Sequence, residues 1–197
     1  MIDGRVTGQR TSSSVQEAES NMLSMSPWPD RMSLSSLTPE GQQLLEIRAH
    51  SSSDLWFPAR NFTCLSLNGT AIDQAECNFG PTYFDITKAS TAGDLAPLNV
   101  TNNFNISYGD GEYATGTGYI GSVGFAGITV ANTEFSVVEQ AYWEGDTVTD
   151  GLIGFANPLL TSIFSGSDPT VDNSTNAREY LPWFYQANAD GLVSPCE

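Results

Sequence analysis

The sequence predicts an all-β fold, and three observations carry that expectation. Phe104, Ile106 and Tyr108 alternate with polar residues, which is the period of a strand buried on one face. The stretch from 102 to 140 is rich in β-branched and aromatic residues and is punctuated by glycine turn signals. Nothing in that stretch repeats at the helical period.

Taken in order, residues 1–31 are polar and Ser-rich and read as a disordered or unmatched segment, with residues 32–197 as the folded domain. Leu34, Leu37, Leu44, Leu45 and Ile47 flank a Thr38-Pro39-Glu40-Gly41 turn signal, giving strand, turn, strand. Leu55-Trp56-Phe57 is a short apolar run that Pro58 is expected to stop. Residues 58–100 read as loop-rich. Cys64 and Cys77 lie there, either joined in a disulfide or as two buried thiols, and Cys196 is left over. Gly109-Asp110-Gly111 supplies hairpin turn chemistry. A second β-rich run passes through Tyr119, Ile120, Val123 and Phe125, and Gly127 opens a third through Ile128, Val130, Phe135, Val137 and Val138. The apolar run Gly151 to Ala156 precedes a short helix after Pro158. A helix is predicted from Tyr180 to Ala189 with Leu181, Phe184 and Tyr185 on one side, stopped by Asp190-Gly191.

Composition narrows the function classes. The 197 residues include 23 acidic and 7 basic side chains, a net charge of -16, which repels phosphate backbones and argues against nucleic acid as a partner. The bland reading of that charge is a solvated acidic surface. No run of apolar residues is long enough to span a bilayer. Five Asn-x-Ser/Thr sequons, at Asn61, Asn68, Asn99, Asn105 and Asn173, point to the secretory route and to glycosylation. Residues 1–25 show no apolar signal core. Either an N-terminal leader is missing, or the sequons are idle in a cytosolic chain. The expected location is secreted, or vacuolar and lumenal.

Chemistry-bearing residues are few. Gly116-x-Gly118-x-x-Gly121 matches a dinucleotide fingerprint, but a strand pattern follows where a helix is needed, so bulges or close backbone approach explain these glycines better. His50 is the single histidine, and with three scattered cysteines it makes a poor zinc set, so no metal is predicted. No Gly-x-Ser-x-Gly elbow is present. Carboxylates remain: Asp54, Asp110 and Asp150 each sit beside serine or glycine in a β context, where paired acids can share a proton and activate water and where single ones are usually turn residues.

Together these segments resemble the pepsin-like aspartic endopeptidases, most closely the N-terminal lobe of secreted fungal members. Ser52-Ser53-Asp54-Leu55-Trp56 resembles the end of their Asp-Thr-Gly-Ser-Ser-Asp-Leu-Trp signature. Phe104-x-Ile106-x-Tyr108-Gly109-Asp110-Gly111 resembles their flap hairpin, Asp150 to Ala156 their Asp-Gly-Ile-Leu-Gly-Leu segment, and Thr38-Pro39 with Gln42 the strand upstream. The cysteine loop after Trp56 is similar too. The resemblance implies a bilobal β protein without a cofactor, in which each lobe donates one Asp. The close carboxylates share a proton and activate a water against an extended peptide or protein substrate. It implies that Tyr108, Gly109, Asp110 and Trp56 bind substrate, with the Trp56 indole N–H holding the Tyr108 hydroxyl.

Two departures follow from the same match. Counted back from Asp54, the family's Asp-Thr-Gly falls on Ala49-His50-Ser51, and alanine cannot hold a proton. The chain also stops where the first lobe of the family ends, with no Asp-Thr-Gly among its residues. The expectation is an endopeptidase by family that is inactive as this chain, or else a non-catalytic peptide-binding lobe. Either way the surface that meets the other lobe in the family would be exposed and open to self-association. A faulty gene model and a decayed paralogue explain the departures equally. A carbohydrate-binding β-sandwich is the competing all-β reading, and the flap hairpin followed by Asp-Gly-Leu-Ile-Gly argues against it.

Overall fold

The alternating stretch forms three long strands at the centre of one sheet. The computed structural model describes residues 32–35, 43–49, 52–92, 95–98 and 100–194. The expectations for residues 1–31, the turn at 38–41, Gln42, His50, Asn99 and Cys196 lie outside them. Strands β1 (Met32–Ser35), β2 (Gln43–Ala49), β3 (Leu55–Cys64), β4 (Leu95–Pro97), β5 (Asn102–Ser107), β6 (Tyr113–Phe125), β7 (Ile128–Tyr142), β8 (Gly151–Gly154), β9 (Ile163–Ser165) and β10 (Ala177–Arg178) belong to one sheet. Its order is β1-β2-β8-β3-β7-β6-β5-β9-β10, with β4 also paired to β6. The described helices are α1 (Ile86–Ala92) and α2 (Trp183–Ala189), so the protein is mostly β, as the alternation requires.

The β6–β7 hairpin closes on two residues in the left-handed region, Ala126 at φ 51° and Gly127 at φ 80°. Such a two-residue turn matches the twist of the flanking strands. The Gly116-x-Gly118-x-x-Gly121 run lies inside β6. The ladder to β7 slips between Thr115 and Gly116 and again between Gly121 and Val123. A Cβ on Gly116 would sit 2.0 Å from the Val137 carbonyl oxygen, so glycine there permits close strand approach at a bulge.

Two segments depart from the sequence reading. Pro58 does not end its strand: β3 continues to Cys64. The ring removes one ladder donor, and the ladder to β7 accommodates it by slipping between Pro58 and Thr63. The Pro58 carbonyl meanwhile accepts from the Phe84 amide at 3.0 Å. The region after it is therefore not all loop, since it also carries α1 and β4. The second departure is the buried face of α2. The helix begins at Trp183, three residues after the expected Tyr180; on it Trp183 and Ala187 are buried and Phe184 is partly buried against the core, whereas Tyr185 and, ahead of the helix, Leu181 face solvent. Trp183 turns inward because its indole N–H donates to the Val123 carbonyl at 3.0 Å and its ring meets Phe125 edge-on. The short helix expected after Pro158 is a single 3-10 turn, Pro158–Leu160.

The core is aromatic. Trp56, Phe57, Phe84, Phe104 and Phe135 are fully buried, and Phe57 packs against both Phe84 and Phe135 at 5.8 Å. Cys64 and Cys77 form a disulfide. Closing a loop of this length removes unfolded-state entropy equivalent to about 3 kcal/mol in the chain-entropy picture. It fixes the start of a segment that runs beside residues 145–149. Gly145 N–H donates to Cys77 O at 3.1 Å, Thr147 N–H to Asn78 O at 2.7 Å, and Gly80 N–H to Thr149 O at 2.7 Å.

Candidate functional site

Strand order creates the site. β2 and β3 lie on opposite sides of β8, parallel and antiparallel to it respectively. Ala49, the last residue of β2, pairs with Gly154, while Leu55, the first of β3, pairs with Ile153. The connection between them must therefore cross the end of β8. Gly154 N–H donates to Asp54 O at 2.8 Å and Ala156 N–H to Ser52 O at 2.9 Å, pinning that connection down. A Cβ on Gly154 would stand 2.3 Å from the Ser52 carbonyl oxygen, so the crossing needs glycine beneath it. The position at which the resemblance expects a catalytic aspartate is Ala49, at the edge of this crossing.

Ser52, Ser53 and Asp54 are buried in the crossing. The Ser53 hydroxyl donates to the Asn157 carbonyl. Asp54 is fully enclosed. Its Oδ1 accepts from the Tyr180 hydroxyl at 2.6 Å and from the Ser162 amide at 2.9 Å. Its Oδ2 is buried and has no hydrogen-bond partner among the described residues. Burial pushes the carboxyl above the usual carboxylate range, and the bonds from Tyr180 and Ser162 only partly offset it. Asp54 thus ties the crossing to the segment 162–180. Tyr180, far away in sequence, carries no local signal that sequence reasoning could have used.

The arm above the crossing is the β5–β6 hairpin. Tyr108 N–H donates to Glu112 O at 2.8 Å and Gly111 N–H to Tyr108 O at 3.1 Å, with Gly111 at φ 98°. Gly109 and Asp110 are exposed at its tip, and Asp110 Oδ1 accepts from the Glu112 amide at 3.1 Å, which caps the turn. The arm folds back so that the Tyr108 hydroxyl accepts from the Trp56 indole N–H at 2.9 Å. Trp56 and Tyr108, 52 residues apart in the chain, are brought together as the resemblance implies. Burial pushes the Tyr108 hydroxyl far above the ordinary tyrosine range, so it stays a neutral donor and acceptor. Trp143, which the sequence reading did not single out, lies beside both: 5.1 Å from Trp56 and 5.5 Å from Tyr108 between ring centroids. Its one signal is local: it stands two residues after the buried Ala141, with the half-buried Tyr142 between them.

The three candidate carboxylates are not used as a set. Asp54 serves Ser162 and Tyr180, Asp110 serves Glu112, and Asp150, also buried, accepts from the Thr82 amide at 3.0 Å. Among the sequons, Asn61, Asn68 and Asn173 are exposed. Asn105 is half-buried, and its amide nitrogen donates to Pro169 O at 3.0 Å and to Asp172 Oδ2 at 3.1 Å. Among the described residues no helix is long and apolar enough to cross a membrane.

Comparison with known proteins bears on this geometry. A family model described as eukaryotic aspartyl protease matches residues 38–181. The chain is 34% identical over 158 residues to an Aspergillus fumigatus protein described as a probable aspartic-type endopeptidase, covering 79% of this chain and 33% of that protein. It is 30% identical over 113 residues to secreted aspartic protease 3 of Candida albicans, covering 57% of this chain and 25% of the relative. A Trichophyton verrucosum protein, also described as a probable aspartic-type endopeptidase, is 30% identical over 132 residues, 66% of this chain and 27% of its own. The chain therefore spans a third or less of the length of these relatives.

Proposed function

Because the chain belongs to the eukaryotic aspartyl protease family, we propose that its cleft takes up an extended peptide beneath the Tyr108 arm, as the substrate-holding lobe of aspartic-type endopeptidase chemistry. These residues alone hold peptide without cleaving it. The observation that carries the reading is the 2.9 Å bond from Trp56 to Tyr108, which sets an aromatic arm over the Ser52–Trp56 crossing. An extended peptide lying there meets exposed backbone and carboxylate at Gly109 and Asp110 on one side and the crossing on the other. Strand-like peptide recognition of this kind draws affinity from main-chain hydrogen bonds.

Hydrolysis asks for more. Two carboxylates close enough to share one proton must activate a water. The sequence has alanine, Ala49, at the position of the first, and it holds no Asp-Thr-Gly. Asp54 is no substitute, because its Oδ1 is committed to Tyr180 and Ser162 and its carboxyl is walled off from solvent. The disulfide and the relatives named as secreted support an extracellular or lumenal, oxidising location. Asn61, Asn68 and Asn173 are the sequons whose exposure suits a glycan.

The test is a mixed decapeptide library incubated with the protein at acid pH and passed through a size filter. Intact peptides are expected in the retained fraction, and the flow-through is expected to contain no new termini by mass spectrometry. New termini that persist after the protein is purified to homogeneity refute the inert reading. An empty retained fraction refutes the binding reading.

A further inference from the structure

We propose that Trp143 is a positioning residue for the Tyr108 arm: its ring forms the wall against which the arm rests, and it couples that arm to the disulfide-anchored segment. The inference builds on the reading that this arm covers a peptide cleft, though its own test does not need a peptide.

Tyr108 is held at two points. Its hydroxyl is fixed by Trp56, with a further side-chain hydrogen bond to Ser52, which leaves the ring plane free to turn about its own long axis unless something meets its side. Trp143 does so, with the two rings 5.5 Å apart at 74°, an edge-to-face contact. The same indole contacts Trp56 edge-on at 5.1 Å and 85°. Trp143 therefore touches both members of the hydrogen-bonded pair. On its other side it stacks on Phe79 at 5.7 Å and 8°. Phe79 follows Cys77 by two residues, in the segment that the disulfide anchors.

The backbone around Trp143 is fastened in the same two directions. The next amide, that of Glu144, donates to Glu112 Oε1 at 2.7 Å, and Glu112 is the residue on which the arm's turn closes. One residue further, Gly145 donates to Cys77 O. A Cβ on Gly145 would lie 2.3 Å from Asn78 O, so the two segments are packed backbone to backbone there. An indole fastened this way can shift only if the disulfide-anchored segment or the arm shifts with it. A residue serving merely to fill the core would not need contacts to both Trp56 and Tyr108 together with a backbone bond to the arm from its neighbour.

Hydrogen exchange read by mass spectrometry tests the proposal on the full chain. In Trp143→Leu, which keeps an apolar side chain but removes the aromatic wall, amides in residues 108–112 are expected to exchange about five- to tenfold faster than in the wild type. That factor is the loss of one aromatic contact, and amides of β6 and β7 beyond the arm are expected to keep their rates. Trp143→Phe, which retains an edge-to-face partner, is expected to restore most of the protection. It also serves as the readout should the leucine variant fail to fold: a phenylalanine ring too small to reach both partners still predicts a rise of about twofold, confined to the arm. Unchanged arm exchange in the variants, or acceleration shared equally by β3, β6 and β7, overturns the proposal. Wild-type protein that binds no peptide while the arm still responds to Trp143 refutes the functional reading and leaves the positioning role standing.

Discussion

Gly154→Ala is expected to destabilise the protein by about 3 kcal/mol, the upper end for forcing an atom into a packed site. The added Cβ would lie 2.3 Å from Ser52 O and 2.5 Å from Ser52 C, and both neighbours are backbone, which cannot rotate away. Relief requires the crossing to lift off β8. That stretches the bonds from Gly154 to Asp54 and from Ala156 to Ser52, and it moves Trp56 from beneath Tyr108. The variant should therefore lose near-ultraviolet signal from the tryptophan cluster as well as stability in urea. Gly109→Ala is the matched control. No atom lies within 4 Å of its added Cβ and its φ is not positive, so a change within about 0.5 kcal/mol is expected. Equal losses in the two variants would mean that the contact with Ser52 is not what sets the cost, since Gly→Ala lowers unfolded-chain entropy and by that route alone stabilises.

The second large effect is on pH dependence. Asp54 has its folded pKa raised above the ordinary value of 3.8, chiefly by burial. A raised carboxyl pKa means the folded state binds the proton more tightly than the unfolded chain. The associated stability is then complete below the unfolded pKa and is lost as pH rises through the folded one. Stability should accordingly fall from acid towards neutral pH, by up to about 1.4 kcal/mol per pH unit from this one group. The groups facing it share the sign or are neutral. Tyr180 and Tyr108 remain protonated throughout, being raised by burial. Glu134, beyond Tyr180, is raised by burial against the opposing pull of Arg178. Glu112, on the arm, is also raised by burial. Asp54→Asn removes the titration while keeping an acceptor for Tyr180 and Ser162. Urea unfolding across pH 3 to 7 is expected to show a flatter profile for the variant, less stable than the wild type at the acid end and more stable at neutral pH. Parallel profiles would show that the Asp54 carboxyl titrates alike in the folded and unfolded chain, and would contradict the raised pKa.

Both effects arise where three stretches distant in the chain converge, and that explains what the sequence disclosed. The β5, β6 and β7 strands were legible because one-sided burial writes an alternation into neighbouring residues, as at Phe104, Ile106 and Tyr108. The pairing of Trp56 with Tyr108 was legible only through the resemblance, since nothing local in either segment names the other. Pro58 misled because its missing donor was weighed without the slip in register that β7 could supply. The inward face of α2 misled because hydrophobicity favoured Leu181 and Tyr185, while the Val123 carbonyl, which draws Trp183 inward, lies 60 residues away. Tyr180 was invisible for the same reason, standing 126 residues from the carboxylate it serves.

The central claim is that the Trp56–Tyr108 pair holds an arm over a cleft that binds extended peptide. The most direct measurement is the affinity of one decapeptide, selected from the retained library fraction, for the wild type and for Tyr108→Phe and Trp56→Phe, by fluorescence anisotropy at acid pH. Loss of the hydrogen bond alone is expected to weaken binding about tenfold in either variant, with no further loss when the two are combined. Affinities that match the wild type in both variants, with the fold intact, would contradict the account.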